Sequence, residues 1–109
     1  MKKLLFILLL LISCTKEEPV ISYAYRVSGS SGSYSVTIEN AYGDTQQWDP
    51  VGNGWSYEWT QAGTRWLYVS AQNNNESGSV TVEIVRGGQV VKTNTSYGGF
   101  TIATVSGTY

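Results

Sequence analysis

The sequence predicts an all-β domain, an immunoglobulin-like antiparallel β-sandwich of seven or eight strands. Three observations carry this. From Ile21 onward apolar residues recur at every second position. Clusters of Gly, Ser and Asn break the alternation every ~8–12 residues, as in sandwiches and barrels. No segment places apolar residues at the 3.6-residue spacing of an amphipathic helix. A small closed barrel is the alternative architecture.

The elements follow in order. Residues 21–27 form strand one, with Ile21, Tyr23, Tyr25 and Val27 on one face, and Ser28 to Gly32 turn the chain. Strand two, residues 33–40, points Tyr34, Val36 and Ile38 inward and Ser35, Thr37 and Glu39 outward. After a turn at Ala41 to Asp44, strand three is short, residues 45–48, because Pro50 removes a ladder donor. Strand four, residues 55–60, alternates Trp55, Tyr57 and Trp59 with Ser56, Glu58 and Thr60, and the three aromatics read as core. Strand five, residues 64–72, sets Leu67, Val69 and Ala71 inward and Trp66, Tyr68 and Ser70 outward. Asn73 to Gly78 read as an exposed loop. Strand six, residues 79–86, buries Val80, Val82 and Ile84. Gly87-Gly88 supply a two-residue hairpin turn, where both positions take positive φ at little cost. Strands seven and eight cover residues 89–95 and 100–106.

The N-terminus is of another kind. Met1-Lys2-Lys3 is a positive n-region, and residues 4–12 form an unbroken apolar run. The run fits a secretory signal and falls well short of the ~20 residues that span a bilayer. It ends in Leu11-Ile12-Ser13-Cys14, which resembles a bacterial lipobox. The resemblance implies cleavage before Cys14 and acyl chains on its thiol and new amino group. Each buried CH₂ contributes ~0.8 kcal/mol, and two or more chains give stable membrane attachment. The lone cysteine is then occupied, which excludes a disulfide scaffold and thiol catalysis. Lys16-Glu17-Glu18 resembles the surface-export signal of Bacteroidota lipoproteins. The expected division is therefore a signal peptide over 1–13, a lipidated tether over 14–20 and a β-sandwich over 21–109, on the outer membrane and facing outward.

Cleavage leaves 96 residues with five basic against eight acidic side chains. That is one domain with one core, mildly acidic and without a basic cluster, which argues against nucleic-acid binding. The chain contains no histidine, so no Ser-His-Asp triad can form and the commonest metal ligand is missing. No cofactor or metal is expected. Asp44, Asp49, Glu58, Glu76 and Glu83 are scattered, and only a chance pairing such as Glu58 with Glu83 would set up hydrolysis. The expectation is a non-enzymatic binding or interaction module. Trp66 and Tyr68 are its candidate ligand-facing residues, since aromatics directed away from the core of a flat sheet can stack on a glycan or meet a protein partner.

An ordered set of motifs adds a family resemblance. Tyr25-Arg26-Val27-Ser28-Gly29, Val36 to Ala41, Trp55-Ser56-Tyr57, Leu67 to Gln72, Val80 to Ile84 and Gly88 to Lys92 occur in the order found in the mycobacterial small membrane proteins. The mature chain resembles the extracytoplasmic domain of that MmpS family over residues 23–106. The resemblance implies a sandwich fixed to a membrane by its N-terminus and an alternative role as accessory to an envelope transporter. It brings no catalytic residues. The lipobox stands where that family has a transmembrane helix.

Overall fold

In the computed structural model, which describes residues 19–109, the chain forms eight antiparallel strands in two four-stranded sheets. The strands are β1 (Val20–Gly29), β2 (Tyr34–Glu39), β3 (Thr45–Val51), β4 (Trp55–Ala62), β5 (Trp66–Asn73), β6 (Ser79–Arg86), β7 (Gln89–Tyr97) and β8 (Ile102–Thr108). Sheet A has the order β4-β1-β6-β7 and sheet B the order β3-β2-β5-β8. Only β2–β3 and β6–β7 are hairpins within a sheet; the other connections cross between sheets. Cys14, Lys16, Glu17 and Glu18 lie outside the described residues.

The core is what the period-two alternation directs inward. Tyr23, Tyr25 and Val27 from β1 meet Tyr34, Val36 and Ile38 from β2, Leu67, Val69 and Ala71 from β5, and Val80, Val82 and Ile84 from β6. Most are fully buried, and each large aliphatic contributes ~1.5–3 kcal/mol by leaving water. At the β6–β7 hairpin Gly87 and Gly88 take φ of 60° and 82°, as the turn requires.

Three expectations are corrected. Strand three does not stop before Pro50: β3 runs on to Val51. It is an edge strand, where a proline costs no ladder bond if its nitrogen faces away from β2. Trp55, Tyr57 and Trp59 pack against the core but stay half-buried, because β4 is also an edge and has a neighbour on one side only. Asn73 is not an exposed loop residue; it ends β5 with no exposed surface.

Asn73 is the hub of one end of the sandwich. Its Nδ2 donates to Ser77 O and Gly98 O, both at 3.0 Å. Its Oδ1 accepts from Ser31 Oγ at 2.7 Å and from Asn75 N at 2.9 Å. One side chain thereby ties the β1–β2, β5–β6 and β7–β8 connections together. Gly99 belongs to the same junction: a Cβ there would run into the Glu76 carbonyl, so the loops close only around a bare backbone.

The two lateral sides of the sandwich differ. On the β7–β8 side, Lys92, Asn94 and Ser96 lie opposite Ile84, Val82 and Val80 and so share the inward face. They cross to the neighbouring sheet, where Lys92 Nζ donates to Ser106 O (2.9 Å), Asn94 Nδ2 to Thr104 O (3.2 Å) and Ser96 Oγ to Ile102 O (2.7 Å). Side chains thus stitch the outer edge of β8. On the β3–β4 side no side-chain hydrogen bond joins β3 to β4 among the described residues; the one nearby crossing is at the strand end, where Tyr57 Oη accepts from Ala41 N of the β2–β3 turn at 3.1 Å.

Candidate functional site

The outer face of sheet B is built by alternation. With Leu67, Val69 and Ala71 inward, Trp66, Tyr68, Ser70 and Gln72 must stand outward. Their β8 partners are Thr108, Ser106, Thr104 and Ile102. From β2 come Ser35 and Thr37, and Gln47 of β3 donates from Nε2 to Thr37 Oγ1 at 3.1 Å. The result is a flat field dominated by uncharged hydroxyl and amide side chains, with two aromatics at one end.

Trp66 is 49% exposed and Tyr68 half-buried. Their rings stack with centroids 5.7 Å apart and planes 25° apart. Residues i and i+2 on one strand share a face, so the pair forms a short aromatic step, with the indole outermost.

The strand beneath this step is held in three ways. β2 and β5 part company after Ile38 and Val69, the last residues in register. The Tyr25 hydroxyl fills the gap, donating to Glu39 O at 2.7 Å and accepting from Tyr68 N at 3.2 Å. Burial pushes the Tyr25 phenol up to about 12, against the smaller opposing effect of the Tyr68 N–H it accepts. The Arg65 guanidinium donates to the Ala41 and Asn40 carbonyls and lies 4.0 Å from the Glu39 carboxylate. Arg65 and Tyr109 exchange backbone hydrogen bonds of 3.2 and 3.1 Å, carrying the β5–β8 ladder past Trp66. Trp66 therefore projects from a fixed backbone.

Sheet A shows a different surface. A shallow cleft of about 430 Å³ has Ala24 and Val85 among its lining, with Arg26, Glu58 and Thr60 around it. Arg26 Nη1 lies 3.8 Å from Glu83 Oε1, and Glu58 Oε2 accepts from Ser56 Oγ at 3.2 Å. Glu58 stands opposite Ala24 and Glu83 opposite Arg26, on the two flanks of β1. The one carboxylate pair singled out from the sequence is thus separated by a strand, with a guanidinium beside one member. Among the described residues no three His, Cys, Asp or Glu side chains come together as a metal site. Asp49 instead accepts from Ser35 Oγ at 2.7 Å, and Asp44 is exposed in the β2–β3 turn.

The sequence does not single out an aromatic seam along the open β3–β4 side. Trp48 lies 5.0 Å from Trp55 and 5.8 Å from Tyr57, and Tyr57 lies 5.5 Å from Trp59, all tilted. Trp59 then stacks on Tyr23 at 5.5 Å. Contacts of this kind are worth ~0.5–1.5 kcal/mol each beyond burial. The signal that finds the seam is the W-x-Y-x-W alternation of β4 together with its position at an edge.

No family model matches the chain, and no curated protein matches it. Among solved structures it is similar to a carbohydrate-binding module, from work on a circular permutation that links two families of calcium-dependent carbohydrate-binding modules. The likeness has a TM-score of 0.41 and 28% sequence identity, and it covers 64% of this chain and 60% of that one. The chain thus spans about three fifths of that module's length.

Proposed function

We propose that this chain is a non-enzymatic carbohydrate-binding module, held at a bacterial envelope by acyl chains on Cys14 and turned outward by Lys16-Glu17-Glu18. The observation that carries the binding half is the exposed Trp66 stacked on Tyr68, on a flat face of uncharged hydroxyls and amides. A pyranose has an apolar C–H face and a rim of hydroxyls. The indole meets the first through apolar and weak C–H contacts, and the Thr, Ser and Gln rows meet the second. A field with few charges favours a neutral polysaccharide over a charged ligand.

Affinity electrophoresis through gels containing neutral polysaccharides tests this. Trp66→Ala is expected to abolish the retardation shown by the parent, a loss of at least ~10-fold in affinity for one stacking contact of 1.4 kcal/mol or more. Glu58→Ala, on the opposite sheet, should migrate with the parent. Equal retardation of Trp66→Ala and parent, or retardation of neither across the panel, would remove the proposal. The anchoring half is read by protease shaving of intact cells. The parent should be cleaved, whereas a variant with Lys16, Glu17 and Glu18 changed to alanine should be protected; cleavage of both would reject the export signal.

A further inference from the structure

A sheet edge with unpaired N–H and C=O groups pairs with whatever strand it meets, and proteins blunt such edges with prolines, bulges, lysines or inward-pointing polar groups. Three of the four edges here are managed. β8 has carbonyls capped by Lys92, Asn94 and Ser96, and β7 is the strand that carries this lysine and these inward-facing polar side chains. β3 carries Pro50 and an irregular register opposite Tyr34 and Val36. The fourth edge, β4, has none of these devices. It is eight residues long and pairs with β1 without a register break from Ala62 to Trp55. It contains no proline, glycine or lysine, and its one charge is Glu58. Among the described residues no hydrogen bond other than those of the β1 ladder reaches its main chain.

We infer that β4 pairs antiparallel with β4 of a second copy of this chain, joining two A sheets into one across a two-fold axis at Trp59. The register follows from side-chain faces and charge. Antiparallel pairing that keeps inner faces together must be centred on a residue, not between two. Two centres give the greatest overlap, Glu58 and Trp59. The first sets Glu58 opposite Glu58, which is destabilising. The second sets Trp59 opposite Trp59, Tyr57 opposite Gln61, Glu58 opposite Thr60 and Ser56 opposite Ala62, with no like charges paired. The contact is isologous and closes at two chains, because the other lateral side is stitched. It also points both sheet B faces the same way.

Sedimentation equilibrium of the whole chain in density-matched detergent tests the pairing and its register. The parent is expected to move from one-chain to two-chain mass with rising concentration. Thr60→Lys brings a lysine opposite Glu58 twice and should tighten the dimer about fivefold, whereas Thr60→Glu should weaken it about fivefold. Ser56→Lys, which faces Ala62, should change the constant less than about twofold, since no charge lies opposite it. Both positions, 56 and 60, are solvent-facing, so folding is not at stake. A one-chain mass at every concentration overturns the inference. So does a dimer indifferent to the sign of charge at residue 60, or one that responds equally to residue 56; either would place the contact elsewhere on the chain.

Discussion

Asn73→Leu is expected to lower the unfolding free energy by about 3 kcal/mol, the largest loss from any single polar side chain of the domain. Leucine conserves most of the volume and removes all four hydrogen bonds of the hub. Ser77 O, Gly98 O, Asn75 N and Ser31 Oγ lose their partner together. A buried group left unpaired costs ~1–3 kcal/mol, and water entering at the loop end recovers part of the sum. For a domain of this size the midpoint should fall by about 12–24 °C. Thermal and urea unfolding of parent and variant measure it. A difference under about 1 kcal/mol, below the cost of a single unpaired group, would mean that the three loops hold each other without the hub.

Tyr25→Phe is expected to cost about 1–3 kcal/mol at neutral pH, with a pH dependence that identifies the cause. The variant leaves Glu39 O without its donor and Tyr68 N without its acceptor, where β2 and β5 separate. The folded phenol titrates near 12, and the unfolded one near its ordinary value of 10. Between these values the unfolded chain has released the proton and the folded chain retains it. The stabilising contribution is therefore complete below pH 10 and is lost as pH rises through 12, with a slope approaching ~1.4 kcal/mol per pH unit. The other titrating groups are common to both proteins and cancel in the comparison. Urea unfolding at steps from pH 8 to 12 should show the gap between parent and variant narrowing above pH 10. A gap constant over that range would show that Tyr25 ionises as readily in the folded state as in the unfolded.

The sandwich is legible in the sequence because side-chain alternation is a local property. Tyr34, Val36 and Ile38 of β2 and Leu67, Val69 and Ala71 of β5 face inward as their spacing dictates, and Trp66 and Tyr68 stand outside for the same reason. What is not local is not legible. Whether a strand lies at an edge depends on sheet order, so the half-burial of Trp55, Tyr57 and Trp59 and the passage of β3 through Pro50 both follow from long-range pairing. Asn73 continues the inward parity of Leu67, Val69 and Ala71, yet an asparagine-rich run resembles a loop; only the carbonyls gathered around it explain a buried amide. Lys92, Asn94 and Ser96 occupy inward positions of β7 for a comparable reason, because their acceptors lie on β8. Of the candidate site, alternation reveals the aromatic step. The Tyr25 hydroxyl that fixes the strand beneath it comes from the opposite sheet, and nothing in local spacing announces it.

β1 is where the chain enters the sandwich, and it is an inner strand. It lies between β4 and β6, with eight residues in register with the first and seven with the second. Ladder hydrogen bonds run perpendicular to the strands. A pull on the chain ahead of Val20, directed along β1, loads both ladders in shear, so many bonds bear the force at once instead of parting one after another from an edge. With the N-terminal tether proposed above, the load would enter at this doubly paired strand, while the face carrying Trp66 belongs to the other sheet.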